Sequence, residues 1–182
     1  MARLPAPMIY VAKTAVIVGD VTIGKGSSVW HGTVLRGDLD AIVIGQDTNL
    51  QDRALVHVDT GAPAVIGDRV TVGHGAIVHG CEIGSDSIVG MGSVVSSRAR
   101  VGSDCIIGAG AVVTEEAVIA DGSVAMGVPA RVMGPTADFH RVRIEAAWRT
   151  YAELAKTSLP AKREMKGDPA KRVAIKGAEG ML

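Results

Sequence analysis

Three of the five histidines, His57, His74 and His79, fall within one stretch of 23 residues. Neutral imidazoles are common ligands for divalent ions. Three of them leave Zn²⁺ with its full double charge and a fourth position open to water, the pattern of catalytic rather than structural zinc. Such a centre generates a hydroxide nucleophile near neutral pH. Imidazole also suits Fe²⁺ and Co²⁺, so Zn²⁺ is the expected ion and these two are its alternatives. The two cysteines, Cys81 and Cys105, form no CxxC pair and are too few for a disulfide framework. Cys81 reads as structural.

Composition narrows the partners. Lys plus Arg total 19 and Asp plus Glu total 19, so the chain carries no electrostatic footprint for nucleic acid or an anionic membrane. No stretch approaches the ~20 apolar residues of a membrane span. The first residues show no apolar run of a secretory signal. The expectation is a cytoplasmic protein that acts on a small molecule and associates with copies of itself.

The elements that must position the histidines are built from aliphatic residues. Hydrophobic residues make up 47% of the chain but aromatics only 3%, so Val, Ile, Leu and Ala must fill the core. They recur every six residues: Val11, Ile17, Ile23, Val29, Leu35; then Ile44, Leu50, Val56; then Ile66, Val72, Val78; then Ile83, Val89, Val95, Val101, Ile107, Val113 and Ile119. Gly often follows, as at Gly24, Gly45, Gly67 and Gly84. Six holds three strand periods of two, so each hexad presents the same residues inward. A short strand and a Gly-assisted bend fit each hexad. The pattern resembles the left-handed parallel β-helix of hexapeptide-repeat proteins, an all-β solenoid. The resemblance implies that three hexads close one eighteen-residue coil, with a handedness opposite to the usual crossover rule. One hexad cannot offset its own ordering entropy, whereas stacked coils share apolar layers.

The solenoid is expected over residues 8–135. Ile144, Trp148, Tyr151 and Ala155 then recur at helical spacing, with Thr136 or Asp138 as candidate caps. This stripe reads as a C-terminal helix, residues 136–159, packed on the prism. Residues 160–182 read as a basic, weakly ordered tail.

Interruptions of the hexads locate the site. Leu35 to Ile44 is three residues longer than a hexad, Val56 to Ile66 four longer, and Val78 to Ile83 one shorter. Arg36 to His57 is 21 residues, or 18 without the three inserted. His57 to His79 is 22, or 18 without the four inserted. Arg36, His57 and His79 therefore stack in one outward column. His74 lies across a corner and is expected to point from a different face, where a threefold-related neighbour could bring it to the other two. Asp52 falls one coil below His74 and Gln51 one coil below Gly73. Asp52 is a candidate to hold an imidazole from behind. His31 lies two coils below His74 and His140 sits on the helix, so neither joins the set.

At these residues the chain resembles the γ-class carbonic anhydrases. The motifs are Leu35-Arg36-Gly37-Asp38, Asn49-Leu50-Gln51-Asp52, Val56-His57, Val72-Gly73-His74-Gly75 and Val78-His79-Gly80-Cys81, with Gly127-Val128-Pro129-Ala130-Arg131 near the close. The resemblance implies a homotrimer with metal sites between subunits, His57 and His79 from one chain and His74 from the next. It implies an interface ion pair at Arg36 and Asp38. It makes Gln51 the residue that hydrogen-bonds metal-bound water, and Asn49 a neighbouring polar contact. The reaction implied is reversible hydration of CO2 to bicarbonate by a metal-bound hydroxide; carbonic anhydrase is itself the reference case for a bound water with a pKa of about 7.

The chain departs from the family pattern where a proton would leave. The loop after the first metal histidine is short, Val58-Asp59-Thr60-Gly61-Ala62-Pro63, and Thr60 stands where the family's shuttle glutamate would match. Leu39 replaces a second glutamate. Asp59 and Asp40 are the nearby carboxylates that could substitute. Two other readings use the same residues: a metal-dependent hydrolase of acyl thioesters, and a non-catalytic assembly subunit with a vestigial metal site.

Overall fold

A computed structural model describes residues 8–157, 164–166 and 173–176. Parallel strands stack into about six coils with three faces. The first face runs from Met8–Val11 through Ser28–Val29, Asn49–Leu50, Thr71–Val72, Ile88–Val89 and Ile106–Ile107 to Ser123–Met126. The second holds the start of Val16–Ile23 and of Val34–Ile44, then Leu55–His57, Ile77–His79, Val94–Val95 and Val112–Val113. The third takes the ends of the two long strands, then Ala64–Ile66, Glu82–Ile83, Arg100–Val101 and Val118–Ile119. This is the left-handed β-helix expected from the hexads.

The inward residues form one column per face. Val11, Val29, Leu50, Val72, Val89 and Ile107 are register partners on the first face. Ile17, Leu35, Val56, Val78, Val95 and Val113 are partners on the second. Ile23, Ile44, Ile66, Ile83, Val101 and Ile119 are partners on the third. All but Ile17 are buried, and each buried side chain contributes about 1.5–3 kcal/mol by leaving water. Small residues turn the corners inside. Where these are hydroxyl-bearing they satisfy neighbouring carbonyls, as Thr33 Oγ1 does at Gln51 O (2.8 Å).

The glycines after the aliphatics serve close approach. A Cβ at Gly45 would sit 2.5 Å from the Gly67 carbonyl group one coil on. Left-handed backbone at one corner falls on Gly26 and Gly122 at the two ends of the stack but on Asp47, Arg69, Asp86 and Asp104 between them, so most of the bends there are not made by glycine.

The helix spans Asp138–Thr157 and packs on the first face. Ile144 is buried, and Tyr151, Leu154 and Ala155 rest on the core. Trp148 is only half-buried and stacks with the Arg149 guanidinium, 4.7 Å from the ring centroid. Neither expected cap acts as one. The Thr136 hydroxyl donates to Asp104 Oδ2 (3.0 Å) and Asp138 pairs with Arg141. His140 reaches back instead, its Nδ1 accepting the Ala137 N–H (3.0 Å), half of a capping box.

Both ends of the solenoid are closed by antiparallel strands. Arg131–Pro135 pairs with Ser123–Met126 at the C-terminal end. At the other end Glu164–Lys166 pairs with Met8–Val11, and Val173–Lys176 pairs with Val16–Ile23. These two strands lie within the segment 160–182 expected to form the tail. The first coil has strand edges that would otherwise lie unpaired, and they supply a template for the returning chain. The rest of that tail lies outside the described residues. Among the described residues no helix is long and apolar enough to cross a membrane.

Candidate metal centre

The register places Arg36 beside His57 and His57 beside His79 on the second face. The stacking follows because each residue comes directly after an inward aliphatic, Leu35, Val56 or Val78. His57 Nδ1 and His79 Nε2 lie 3.0 Å apart. The outer nitrogen of each ring is already committed. His57 Nε2 meets Asp38 Oδ1 at 3.0 Å, and an ionised carboxylate only accepts, so this nitrogen carries the proton. His79 Nδ1 meets Ser97 Oγ at 2.9 Å, while the Ser97 hydroxyl donates to Asp59 Oδ2 at 2.6 Å. The one Ser97 proton is spent on Asp59, so His79 Nδ1 must be the donor to Ser97.

Two neutral rings so arranged face each other through lone pairs. Only a cation between them, or a proton on one ring, removes the repulsion. Two nitrogens bound tetrahedrally to one ion at ~2.0–2.1 Å stand about 3.3 Å apart, close to the separation seen. The donor set therefore fits a divalent ion on geometry and on tautomers together.

His74 stands elsewhere, at the corner after the first face. Its Nδ1 donates to Asp52 Oδ2 (3.0 Å), the contact expected one coil below. Its Nε2 accepts from the Tyr151 hydroxyl (3.1 Å). All three imidazoles thus have an oxygen behind them, the arrangement that orients metal-binding histidines. Among the described residues of one chain, no three His, Cys, Asp or Glu side chains gather around a single point. One chain offers a half-site of two rings and a half-site of one.

The other expected residues divide between these halves. Arg36 Nη1 donates to Asp38 Oδ2 (2.6 Å), inside one chain. Asn49 and Gln51 lie under the helix on the first face and are buried. Gln51 Nε2 donates to Asn49 Oδ1 (3.2 Å), and Asn49 Nδ2 to Thr71 Oγ1 (2.9 Å). They are on the side of Asp52 and His74, not in the column of His57 and His79. His31 shares a cavity of about 470 Å³ with Asp52, Arg53, His74 and Gly75, and its Nδ1 lies 3.1 Å from the Thr14 hydroxyl.

Charge follows these contacts. The Arg36 hydrogen bond, opposed in part by desolvation and assisted by His57, holds the Asp38 carboxyl below the usual carboxylate range. The Ser97 hydroxyl does the same for Asp59. Burial, then the charge of Asp52, pushes the Tyr151 phenol up, so it stays a neutral donor. Burial pushes the Cys81 thiol up to about 12, which fits its structural reading.

Two residues at the site escaped the sequence reading, Tyr151 and Ser97. The helical spacing of Tyr151 predicts packing alone, and its ring does pack edge-on against Trp30, 5.1 Å between centroids. A covered tyrosine still needs a partner for its hydroxyl, and that was the available signal. Ser97 lies one coil above Gly80, as Arg98 N–H to Gly80 O (2.7 Å) shows. Carrying the coil count one step further would have found it.

Known proteins agree with this architecture. Residues 63–97 match the family described as bacterial transferase hexapeptide (six repeats), and residues 99–115 match the hexapeptide repeat of succinyl-transferase. A Methanocaldococcus jannaschii protein named "Probable carbonic anhydrase" is 48% identical over 82% of this chain and 94% of its own length. The Arabidopsis thaliana protein named gamma carbonic anhydrase 2, mitochondrial, is 42% identical over 81% of this chain. The chain spans about half the length of that plant relative, 55%. The crystal structure of a hexapeptide transferase family protein from Anaplasma phagocytophilum superposes with a TM-score of 0.74 at 34% identity, covering 86% of this chain and all of that one.

Proposed function

The chain belongs to the γ-class carbonic anhydrase family, and from that premise we propose that it hydrates CO2 reversibly to bicarbonate at a Zn²⁺ centre between subunits of a homotrimer. The observation that carries the reading is the pair of facing lone pairs on His57 and His79, each ring held from behind. His74 of an adjoining copy supplies the third imidazole in this reading.

Support for the trimer comes from the second face. Val16, Val34, Leu55, Ile77, Val94 and Val112 are register partners on its outside, beside the column of Arg36, His57 and His79. The helix lies on the first face and leaves this outer aliphatic ladder half-exposed. A threefold arrangement that buries it would also close the half-sites on one another.

When bound, a divalent ion on three neutral imidazoles supplies Lewis acidity and a water whose pKa lies near neutrality. The chain's own residues do the rest. Asp38, Ser97 and Asp52 hold the three rings in the tautomers that bind a cation. Arg36 keeps Asp38 ionised. In this reading Gln51 presents its amide to the reacting oxygen with Asn49 as its neighbouring polar contact, and the Tyr151 hydroxyl, which meets His74 Nε2 in the free chain, gives way to the ion. The short loop at 58–63 leaves no flexible glutamate at position 60, so proton release is the step expected to limit turnover.

Metal analysis with oligomeric mass, followed by CO2 hydration measured by stopped flow, tests the proposal. About one ion per chain in a trimer, with hydration lost on chelation and in His57→Ala, is expected. Metal-loaded trimers that turn over a thioester but not CO2 would replace it with the hydrolase reading. Trimers inert in both assays would leave an assembly subunit.

A further inference from the structure

We propose that Ser97 and Asp59 form a positioning relay that fixes the ring of His79 for metal binding, so that Asp59 is committed to His79 and does not carry protons to solvent. The inference rests on the reading of His57, His74 and His79 as ligands.

The relay has one direction. His79 Nδ1–H donates to Ser97 Oγ at 2.9 Å, and Ser97 Oγ–H donates to Asp59 Oδ2 at 2.6 Å. The same carboxylate oxygen stands 3.6 Å from His79 Nδ1, too far to hold the ring without the serine. A ring anchored at Nδ1 must present Nε2, the nitrogen that faces His57. Without the anchor the ring can flip and offer a carbon.

The loop is built to deliver this carboxylate. The four residues inserted between Val56 and Ile66 fold into a tight turn in which Ala62 N–H donates to Asp59 O (2.9 Å). Gly61 takes the left-handed φ of 73° that the turn requires and donates its N–H to Asp40 Oδ2 (3.0 Å). Asp40 also accepts from the Ala41 N–H (2.7 Å). Both carboxylates nearest the missing glutamate are therefore spent on structure. A proton taken up on Asp59 Oδ1 would weaken the short charge-assisted bond that Oδ2 accepts from Ser97.

The full chain tests this as Ser97→Ala, Ser97→Thr and Asp59→Ala, with His57→Ala as reference. Zn²⁺ affinity is read by competition with a chromophoric chelator, ligand geometry by the Co²⁺ d–d spectrum, and folding by the melting point of the metal-free protein. Ser97→Ala and Asp59→Ala should each weaken Zn²⁺ binding about 10–100-fold and alter the Co²⁺ bands, with metal-free melting near that of the parent. Ser97→Thr should restore both. Should Ser97→Ala fail to fold, Asp59→Ala carries the test, since its side chain is 45% exposed. Unchanged affinity and spectrum in Asp59→Ala overturn the relay. So does a hydration defect in that variant, at saturating metal, that imidazole buffer rescues, because it marks a shuttle. A parent protein that binds Zn²⁺ no better than His57→Ala overturns the ligand reading and the relay together; a parent that binds it while the relay variants match it overturns the relay alone.

Discussion

The hydroxyl of Tyr151, on the C-terminal helix, lies 3.1 Å from Nε2 of His74, at a corner of the solenoid 77 residues earlier. The contact ties the helix to one half-site. Three aromatic rings hold it there, Tyr10 on Trp30 and Trp30 on Tyr151, each pair 5.1 Å between centroids.

Tyr151→Phe keeps that packing and removes only the hydroxyl. One neutral hydrogen bond is worth about 0.5–1.5 kcal/mol, so the melting point should fall by only a few degrees. Zn²⁺ affinity should rise, by up to ~10-fold, because the hydroxyl and the ion compete for the one lone pair of His74 Nε2. Equal Zn²⁺ affinity in the two proteins would show that the hydroxyl serves the helix alone.

Gly45→Ala and Gly110→Ala should differ for a stated reason. The first places a Cβ 2.5 Å from backbone one coil on, whereas nothing lies within 4 Å of a Cβ at Gly110, whose cost is its φ of 67°. Gly110→Ala should lose about 1–2 kcal/mol. Gly45→Ala should lose more than that, about 3 kcal/mol, because rigid backbone must shift. Urea unfolding midpoints measure both, and equal losses would argue against close coil stacking at that corner.

Asp38 gives a pH prediction with a definite sign. Its folded pKa is depressed, first by the Arg36 hydrogen bond. Its contribution to stability is therefore present above the unfolded value of about 3.9 and lost as pH falls through the lower folded value. In Arg36→Gln the largest cause is gone, so the Asp38 carboxyl should titrate at higher pH in an NMR titration of the metal-free protein. The acid limb of its stability curve should move the same way. An unmoved titration would mean that Arg36 does not set the charge of this residue.

Cys81 should be inert. Burial raises its thiol to about 12, so the thiolate is scarce at pH 8. Cys105 is also buried and also raised, again by burial first. A thiol reagent at pH 8 should count close to none in the folded protein and both cysteines in denaturant. Fast labelling of native Cys81 would show that the site corner opens.

Much of this molecule was legible because its core is a repeat. Every hexad aliphatic took its place in one of three columns, and the breaks of three, four and minus one residues predicted register steps of 21, 22 and 17, as between Val34, Leu55, Ile77 and Val94. Inward position depends on strand alternation and stacking, both of which sequence spacing encodes. The column of Arg36, His57 and His79, and Asp52 beneath His74, followed from the same arithmetic.

What only the tertiary structure decided lies at corners and between distant segments. Whether Asp59 meets Ser97, whether Tyr151 reaches His74, where Asn49 and Gln51 spend their amides, and that the chain returns to cover its first coil depend on contacts between elements whose separation follows no period. A repeat transmits position along the chain through identical local geometry. A hydrogen bond between side chains on different faces depends instead on how a turn folds and where a helix docks, and those are settled by packing in three dimensions.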